Sequence, residues 1–419
     1  MRASNASHKL TSIALLAAAL HAAGVRAGDA DAPMFSLHGF GTLGLVHSDA
    51  EDADFVGNFF QPDGAGYSGS WAAGVDSKLG VQLDAHHGDQ LSAVVQLVSQ
   101  YRYDGTYTPQ IEWANVKYQF TPDFSVRAGR TVAGPFLLSD ARLVGYTYPW
   151  IRPPQEVYGV LPVTNMDGVG ASYRFQFSRG TDLVNVAYGR THLKLPGGGG
   201  IDARQFFEAS NTLEIGPGTF RIGYSSIQVD LHSPSVDPVF DGLEDFGTAQ
   251  ALALRDRYQP SDFPYSVLSL SLSIDPGDWL LMAEWAANQS SGVVSDTRAW
   301  YVSGGYRFGK FTPYLTLARL RAETISEPGL STEGLTAEQA ATAAALNSGL
   351  NGVIKYFAFA QKSLSVGIRW DFMANASLKL QYERVLLDSD ANGRLGNIQP
   401  GFEPGQTVNV FSVATDFVF

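Results

Sequence analysis

The stretch VNVFSVATDFVF, residues 408–419, alternates large apolar side chains with small or polar ones. Successive side chains of a β-strand point to opposite faces. Phe411, Phe417 and Phe419 would therefore lie on one face of a strand, and Asp416 would lie on the other. A strand with this pattern requires an apolar environment on one side and tolerates water on the other.

The same ending recurs along the chain as two aromatic residues that enclose one other residue. The copies are Tyr118-Gln119-Phe120, Tyr173-Arg174-Phe175, Tyr306-Arg307-Phe308, Trp370-Asp371-Phe372 and Phe417-Val418-Phe419. Aromatic side chains at one height on successive strands are typical of the boundary between bilayer hydrocarbon and lipid headgroups. We interpret these ten aromatic residues as a membrane girdle. The enclosed Arg174 and Arg307 would then face the interior, because an arginine at the bilayer midplane costs roughly 2 to 4 kcal/mol.

Short and long connections alternate between segments of about ten residues that have period-two hydrophobicity. The short connections are 86–89, 121–123, 178–181, 215–218, 275–278, 309–310 and 373–376. The long connections are 48–66, 102–109, 132–166, 192–203, 231–263, 288–296, 322–361 and 387–406. This strict alternation predicts tight turns at one end of the molecule and loops at the other, as in outer-membrane barrels.

The predicted fold class is all-β, a transmembrane antiparallel β-barrel of about sixteen strands. The predicted strands are 35–47, 67–85, 90–101, 110–120, 124–131, 167–177, 182–191, 204–214, 219–230, 265–274, 279–287, 297–308, 311–321, 362–372, 377–386 and 407–419. A soluble β-sandwich or propeller also has alternating strands. It would bury its apolar face, however, and would not need aromatic residues at one end of its strands.

Residues 1–27 have the features of an export signal that is removed from the mature protein. Arg2 and Lys9 precede the apolar stretch 10–23, and Val25-Arg26-Ala27 is a small-residue cleavage pattern. We therefore predict one barrel domain at 28–419. No later stretch is long and apolar enough for a spanning helix. The absence of cysteine excludes disulfides and cysteine-based sites, and the formal charge of −12 argues against a nucleic-acid partner.

Three short patterns imitate functional motifs. GFGTLG (39–44) matches a dinucleotide fingerprint but lies inside a predicted strand, where its glycines would permit curvature or close approach. GGYRFGKF (304–311) has Phe311 where a phosphate-binding loop needs Ser or Thr, so its Gly-Lys pair predicts a hairpin turn. DSDANG (388–393) begins like a calcium loop but has Gln399 at the twelfth position. We interpret it as a solvated turn, and weak binding of a divalent ion remains open.

One segment of the long connection 322–361 predicts a helix. TAEQAATAAAL, 336–346, begins with a capping box formed by Thr336 and Gln339, and Asn347 and Gly349 would end the helix. We expect it to cover part of the external mouth. No Gly-x-Ser-x-Gly or His-Glu-x-x-His pattern occurs, so neither catalytic residues nor a cofactor or metal site is predicted.

Over nearly the whole mature sequence the chain resembles the Gram-negative outer-membrane porins of the general-diffusion, 16-stranded type. The resemblance lies in FSLHGFGTLGLV, IEWANVKYQFTPDFSVRAGR, QKSLSVGIRWDF and the last strand. It implies a water-filled channel in the bacterial outer membrane, a homotrimer surrounded by lipid and lipopolysaccharide, and a third loop, 132–166, folded inward as the constriction. It also implies that the barrel assembly machinery recognises Phe419.

Alternation places several basic residues in the lumen, and the third loop adds further charges. The lumenal basic residues are Lys117, Arg127, Arg174, Arg221, Arg307, Arg369 and Lys379. The resemblance adds Arg130, because the arginine of a Gly-Arg pair faces the pore in the family. On the loop, Asp140 and Glu156 are the acidic candidates, with Arg142 and Arg152 nearby. These charges would set a transverse field across the pore, or would pair locally to anchor the loop.

The predicted function is passive diffusion of small hydrophilic solutes and ions, without enzymatic activity. The alternative within transport is a channel selective for a sugar or an organic acid, with Tyr301 and Tyr314 as members of a binding track. An outer-membrane adhesin and an outer-membrane hydrolase are the alternatives from other classes.

Overall fold

The computed structural model describes residues 34–323 and 326–419. The predicted signal peptide, 1–27, lies outside them. Sixteen antiparallel strands of nine to sixteen residues form the wall of a closed barrel. They are β1 (Phe35–Ser48), β2 (Lys78–His87), β3 (Leu91–Gln100), β4 (Gln110–Gln119), β5 (Phe124–Val132), β6 (Asn165–Phe177), β7 (Gly180–Lys194), β8 (Gly200–Ile215), β9 (Gly218–His232), β10 (Phe263–Ile274), β11 (Trp279–Ser290), β12 (Thr297–Tyr306), β13 (Phe311–Ala322), β14 (Gln361–Met373), β15 (Ala376–Leu387) and β16 (Thr407–Val418).

The barrel closes because β1 pairs with both β2 and β16, while every other strand pairs with its neighbours in sequence. In the closing pair Phe40 lies opposite Val418, and Ser48 lies opposite Val410. Closure leaves no sheet edge with unpaired backbone groups, which a bilayer could not satisfy. The predicted fold class, an antiparallel barrel of sixteen strands, is confirmed.

Turns of two to four residues join the strands at one end, and longer connections join them at the other. The predicted strand 67–85 was wrong in its first half. β2 begins at Lys78, and of the preceding residues only 71–72 pair with β1. The long connections also contain a small three-stranded sheet, formed by Asp54–Phe55, Ala65–Gly66 and Leu395–Gly396.

The wall is apolar on the outside and polar on the inside. On β12, Trp300 and Val302 are 42% and 44% exposed, whereas Tyr301 and Ser303 between and beside them are fully buried. On β1, Thr42 is buried and its hydroxyl donates a hydrogen bond of 2.6 Å to Asp416 on β16. Soluble proteins have the opposite arrangement, so the outer surface suits lipid.

The predicted girdle aromatics lie at the short-turn ends of their strands, where they contact one another and the neighbouring Phe124 and Phe311. Phe124 is 5.6 Å from Phe120 and 6.4 Å from Tyr173 between ring centroids, and Phe311 stacks on Trp370 at 5.8 Å. Most of the ten are exposed, and Phe372 and Phe417 are partly buried.

The glycines of β1 allow the seam with β16 to close. Gly41 lies beneath the ring of Phe417 and Gly39 beneath the ring of Phe419, so that a Cβ atom at either glycine would collide with the ring. The GFGTLG pattern therefore reflects close approach between side chains and backbone of neighbouring strands.

Within the described residues, four α-helices lie in the long connections: α1 (Gln155–Tyr158), α2 (Asp237–Phe246), α3 (Ala249–Tyr258) and α4 (Ala337–Phe357). Thr336 and Gln339 form the predicted capping box of α4. The predicted end at Asn347 was wrong, because the Asn347 side chain bonds both backbone groups of Leu330 and so does not compete with the helix. In the described part of the chain no helix is long and apolar enough to cross a membrane.

Candidate functional site

The connection between β5 and β6, residues 133–164, lies inside the barrel; we call it the inner segment. Its backbone and side chains bond to inward-facing residues of β8 through β16. At its start, the backbone N–H of Gly134 donates to Glu208 on β8 at 2.7 Å. Further along, the Trp150 indole N–H donates to Ser303 on β12 and Thr316 on β13, at 2.8 and 2.9 Å. Contacts on so many strands require a position in the lumen.

One carboxylate anchors the inner segment to the middle of the wall. Glu284 on β11 is 2% exposed and accepts hydrogen bonds from the backbone N–H of Leu137 at 2.9 Å, and from Ser271 at 2.7 Å. Its other oxygen accepts from the hydroxyls of Tyr158 and Tyr301. These donors compensate the cost of burying a carboxylate.

Two buried cations hold the second half of the inner segment. The Lys379 ammonium on β15 donates to the carbonyls of Gly145, Tyr148 and Trp150 at 2.6 to 2.8 Å. Arg152, which belongs to the segment, makes a bidentate pair with Asp76 at 2.6 and 2.9 Å. The segment is thereby fixed against one side of the wall, and open space remains beside β1–β7.

Three neighbouring cavities, linked by shared lining residues, occupy this open space. The outer cavity, on the side of the long connections, has a volume of about 1010 Å3. The inner cavity, towards the short turns, has about 490 Å3. A space of about 10 Å3 lies between them and shares Glu112, Leu143 and Thr164 with the outer cavity. It shares Phe40, Gln96, Trp113 and Val144 with the inner cavity, and Ser139 and Asp140 line it alone. We call this space the neck.

Two polar groups at the neck have no protein partner within the described residues. Glu112 on β4 is 4% exposed, and its Oε1 atom accepts no hydrogen bond. The indole N–H of Trp113 beside it donates none. One acceptor and one donor are therefore available to a water molecule or ion at the narrowest point of the path.

The outer cavity is strongly basic. Lys78, Arg102, Arg130, Arg142, Arg152, Lys194, Lys355 and Arg394 line it. The carboxylates that line it are Asp76, Glu112 and Asp167. Asp76 is neutralised by Arg152, and Asp167 makes a bidentate pair with Arg130 at 2.7 and 2.8 Å. The cavity therefore carries positive charge although the whole chain is acidic.

The predicted pore residues are distributed over different environments. Arg130 and Arg142 line the outer cavity, and Asp140 lines the neck. Arg369 instead donates to the carbonyls of Tyr146 and Tyr148, and Arg221 to that of Pro135, so both hold the inner segment. Glu156, 1% exposed, accepts from Gln361 on β14 at 2.8 Å. For these last three residues the structure shows anchoring, the second of the two alternatives drawn from the sequence.

The other predicted residues lie away from the inner segment. Arg174 is exposed near the short turns, and Arg307 pairs with Asp275 across two of these turns at 2.6 Å. Arg127 donates to Thr131 on its own strand at 3.3 Å, and Lys117 is half-buried opposite it in the register. These four side chains therefore lie in the short turns and on the part of the wall near them.

The prediction that Tyr301 and Tyr314 belong to a binding track open to solutes was wrong. Tyr301 is fully buried and donates to Glu284, and Tyr314 donates to Gln381 at 2.8 Å. Both lie behind the inner segment. In the calcium-like pattern, residues 388–393, Asp388 forms a salt bridge of 2.8 Å with Arg319. Among the residues that the structure describes, no three His, Asp or Glu side chains converge as a metal site.

Sequence reasoning missed Glu112, Lys78 and Arg394. A bulge opposite Gln96 and Leu97 shifts the register of β4 between Trp113 and Ile111. Because a bulge reverses the inside and outside positions beyond it, alternation along β4 did not place Glu112 at the neck. Arg394 lies in the irregular connection 388–406, where the sequence has no hydrophobic periodicity that could predict the direction of a side chain.

Solved structures share this fold at low sequence identity. An anion-selective porin from Comamonas acidovorans matches with a TM-score of 0.53 and 10% identity, over 92% of this chain and 99% of that one. Salmonella typhi OmpF in complex with daunomycin matches with 0.52 and 12%, over 92% and 97%. The outer-membrane expressed OmpT of Vibrio cholerae matches with 0.51 and 12%, over 94% and 100%. No family model and no curated protein matches the sequence. The chain is thus similar in fold to porins.

Proposed function

We propose that the protein is an outer-membrane porin through which small hydrophilic solutes and ions diffuse passively. The observation that carries this proposal is the path beside β1–β7, formed by the outer cavity, the neck and the inner cavity. Polar residues line much of this path, and the outside of the same wall is apolar. A barrel that is apolar outside and hydrated inside suits transfer of polar solutes across a bilayer.

Selection among solutes would depend on the radius of the neck and on the fixed charges along the path. The neck limits solute size, and small movements of Leu143 and Val144 on the inner segment would change its width. The basic outer cavity would raise the local concentration of anions, and Glu112 would favour cations at the neck. The solute gradient supplies the driving force, and no catalytic step or cofactor is involved.

The environment of the barrel follows from the same proposal. The exposed apolar belt would contact outer-membrane lipid, and the long connections would face lipopolysaccharide. The resemblance to porins and the shared fold support a homotrimer as the assembled state. Each subunit would then contain its own path.

Conductance across a planar bilayer tests the proposal. We expect purified protein to produce discrete ohmic current steps that scale with the salt concentration. A preparation that inserts into vesicles but conducts no ions would contradict the proposal, and so would protein that stays monodisperse without detergent. A sugar-sized neutral solute should also enter protein-containing vesicles faster than it enters protein-free vesicles.

A further inference from the structure

The outer cavity has more positive charge than its own residues neutralise. Within the described chain, six of its eight basic residues form no salt bridge. They are Lys78, Arg102, Arg142, Lys194, Lys355 and Arg394. An unpaired cation in a confined space is costly unless an anion or water compensates it. The cavity therefore has cationic side chains available to bind an anion from solution.

Arg142 and Arg394 are the central members of this group. Both lie against the same turn of the inner segment. Arg142 donates to the carbonyl of Tyr158 at 2.8 Å, and the Arg394 guanidinium packs against the adjacent Gly159. The Nε atom of Arg394 is buried and has no hydrogen-bond partner. Burial lowers the pKa of Arg394 to about 10, and the charge of Arg142 adds to this effect.

An aromatic cluster borders the same cavity. The ring of Phe59 lies 5.7 Å from Phe60, 5.8 Å from Tyr356 and 5.9 Å from Phe359, between centroids. Tyr356, on α4, is 47% exposed. The Arg394 guanidinium lies 4.2 Å from the centroid of the Phe359 ring, so the cationic and aromatic groups are in direct contact.

We propose that the outer cavity binds small aromatic carboxylates, with the carboxylate on Arg394 and Arg142 and the ring against Phe59, Phe359 and Tyr356. A guanidinium donates two parallel hydrogen bonds to a carboxylate, and aromatic pairs add attraction beyond burial. A sugar would find few acceptors for its hydroxyls among these groups. Inorganic phosphate would use the cations and leave the aromatic cluster without a partner. The inference rests on the proposed channel, because the solute reaches the cavity through it.

Benzoate is the probe for this site. Single-channel current of the full-length protein is recorded in KCl while benzoate, benzamide, acetate or phosphate is added. We expect benzoate to block the current at a concentration at least about tenfold lower than any of the other three, a difference of about 1.4 kcal/mol. Equal block by benzoate and acetate would overturn the aromatic part, and equal block by benzamide would overturn the role of charge.

Variants locate the site. Arg394→Gln and Phe359→Leu are each expected to weaken benzoate block at least about tenfold. Arg321→Gln is the matched control, because Arg321 is exposed at the end of β13, forms no salt bridge in the described chain and lies outside the cavity. Unchanged block in Arg394→Gln would refute the proposed site. Binding of benzoate to wild-type protein in detergent, measured by calorimetry, gives a test that needs no variant.

The two proposals fail in different ways. If KCl conductance is absent, the channel proposal fails, whereas calorimetry still reports on the cavity. If conductance is present and benzoate neither blocks nor binds, the channel proposal stands and the carboxylate site is refuted.

Discussion

Lys379 on β15 and Asp416 on β16 form a salt bridge of 2.8 Å in which both side chains are fully buried. The pair joins the last two strands of the barrel and also holds the inner segment, since the same ammonium donates to three of its carbonyls. Removing one partner of such a pair leaves a buried charge without compensation.

We therefore expect Lys379→Met to lower the free energy of unfolding by about 3 to 5 kcal/mol. It should also increase single-channel conductance, because the inner segment loses its attachment at Gly145 through Trp150. Urea unfolding in detergent micelles and bilayer recordings measure the two effects. Lys362→Met is the control, since Lys362 is exposed on β14. Equal stability of the two variants would show that the pair contributes nothing.

Glu112→Gln removes the carboxylate at the neck. We expect the permeability ratio of cations to anions to fall about fivefold, which corresponds to about 1 kcal/mol for a unit charge at 4 Å in water. The reversal potential in a KCl gradient measures this ratio. Glu333→Gln provides the comparison, because Glu333 is exposed in the connection between β13 and β14. An unchanged reversal potential in Glu112→Gln would place the selective step elsewhere.

Gly41→Val places a branched side chain beneath the Phe417 ring at the seam of β1 and β16. We expect a loss of about 1 to 3 kcal/mol, as for other overpacked sites. The temperature at which the folded band disappears on electrophoresis reports the change. Gly304→Val on β12 should be tolerated, since an added Cβ atom there meets only the carbonyl oxygen of Leu280, at 4.0 Å. Equal destabilisation by both variants would contradict a specific role for the seam.

Arg394 should reduce stability at neutral pH, because burial lowers its pKa to about 10 and so disfavours the charged form in the folded state. Arg394→Gln is then expected to raise the free energy of unfolding at pH 7 by up to about 3 kcal/mol, the free-energy equivalent of that lowering of the pKa. Wild-type protein loses the buried charge as the pH rises above its folded pKa, while the unfolded chain still holds the proton. Its stability therefore rises there, and the difference from the variant should shrink. Urea titrations at pH 7 and pH 11 measure both values. A variant that is less stable than wild type at pH 7 would refute this expectation.

The hydrophobic pattern was sufficient for the wall of the barrel. Period-two alternation predicted nearly every strand within a few residues, and the contrast between short and long connections predicted their up-and-down order. The strand predicted from residue 67 began too early because an extended, alternating stretch need not pair along its whole length. The end of α4 was misplaced because Leu350, Val353, Ile354 and Phe357 bury their side chains beyond the residues that usually end a helix.

The path through the barrel needed the tertiary structure. Glu284 and Lys379 on the wall, and Glu156 on the inner segment itself, fix that segment, whereas Arg130 and Arg142 line the outer cavity, and nothing in the local sequence separates these two groups. A charged residue on the inner face of the wall can contact the inner segment or can face water. Which of these occurs depends on how far the segment extends across the lumen.

By itself, the sequence determined that this chain is a barrel with its apolar side outward, because lipid contact imposes the same constraint on every strand and the constraint repeats every second residue. The tertiary structure alone decided where the opening lies and what charge it carries. Those properties depend on contacts between residues that are far apart in sequence, such as Arg152 with Asp76 and Arg394 with Phe359. Such contacts leave no periodic pattern in the sequence, because each of them occurs once.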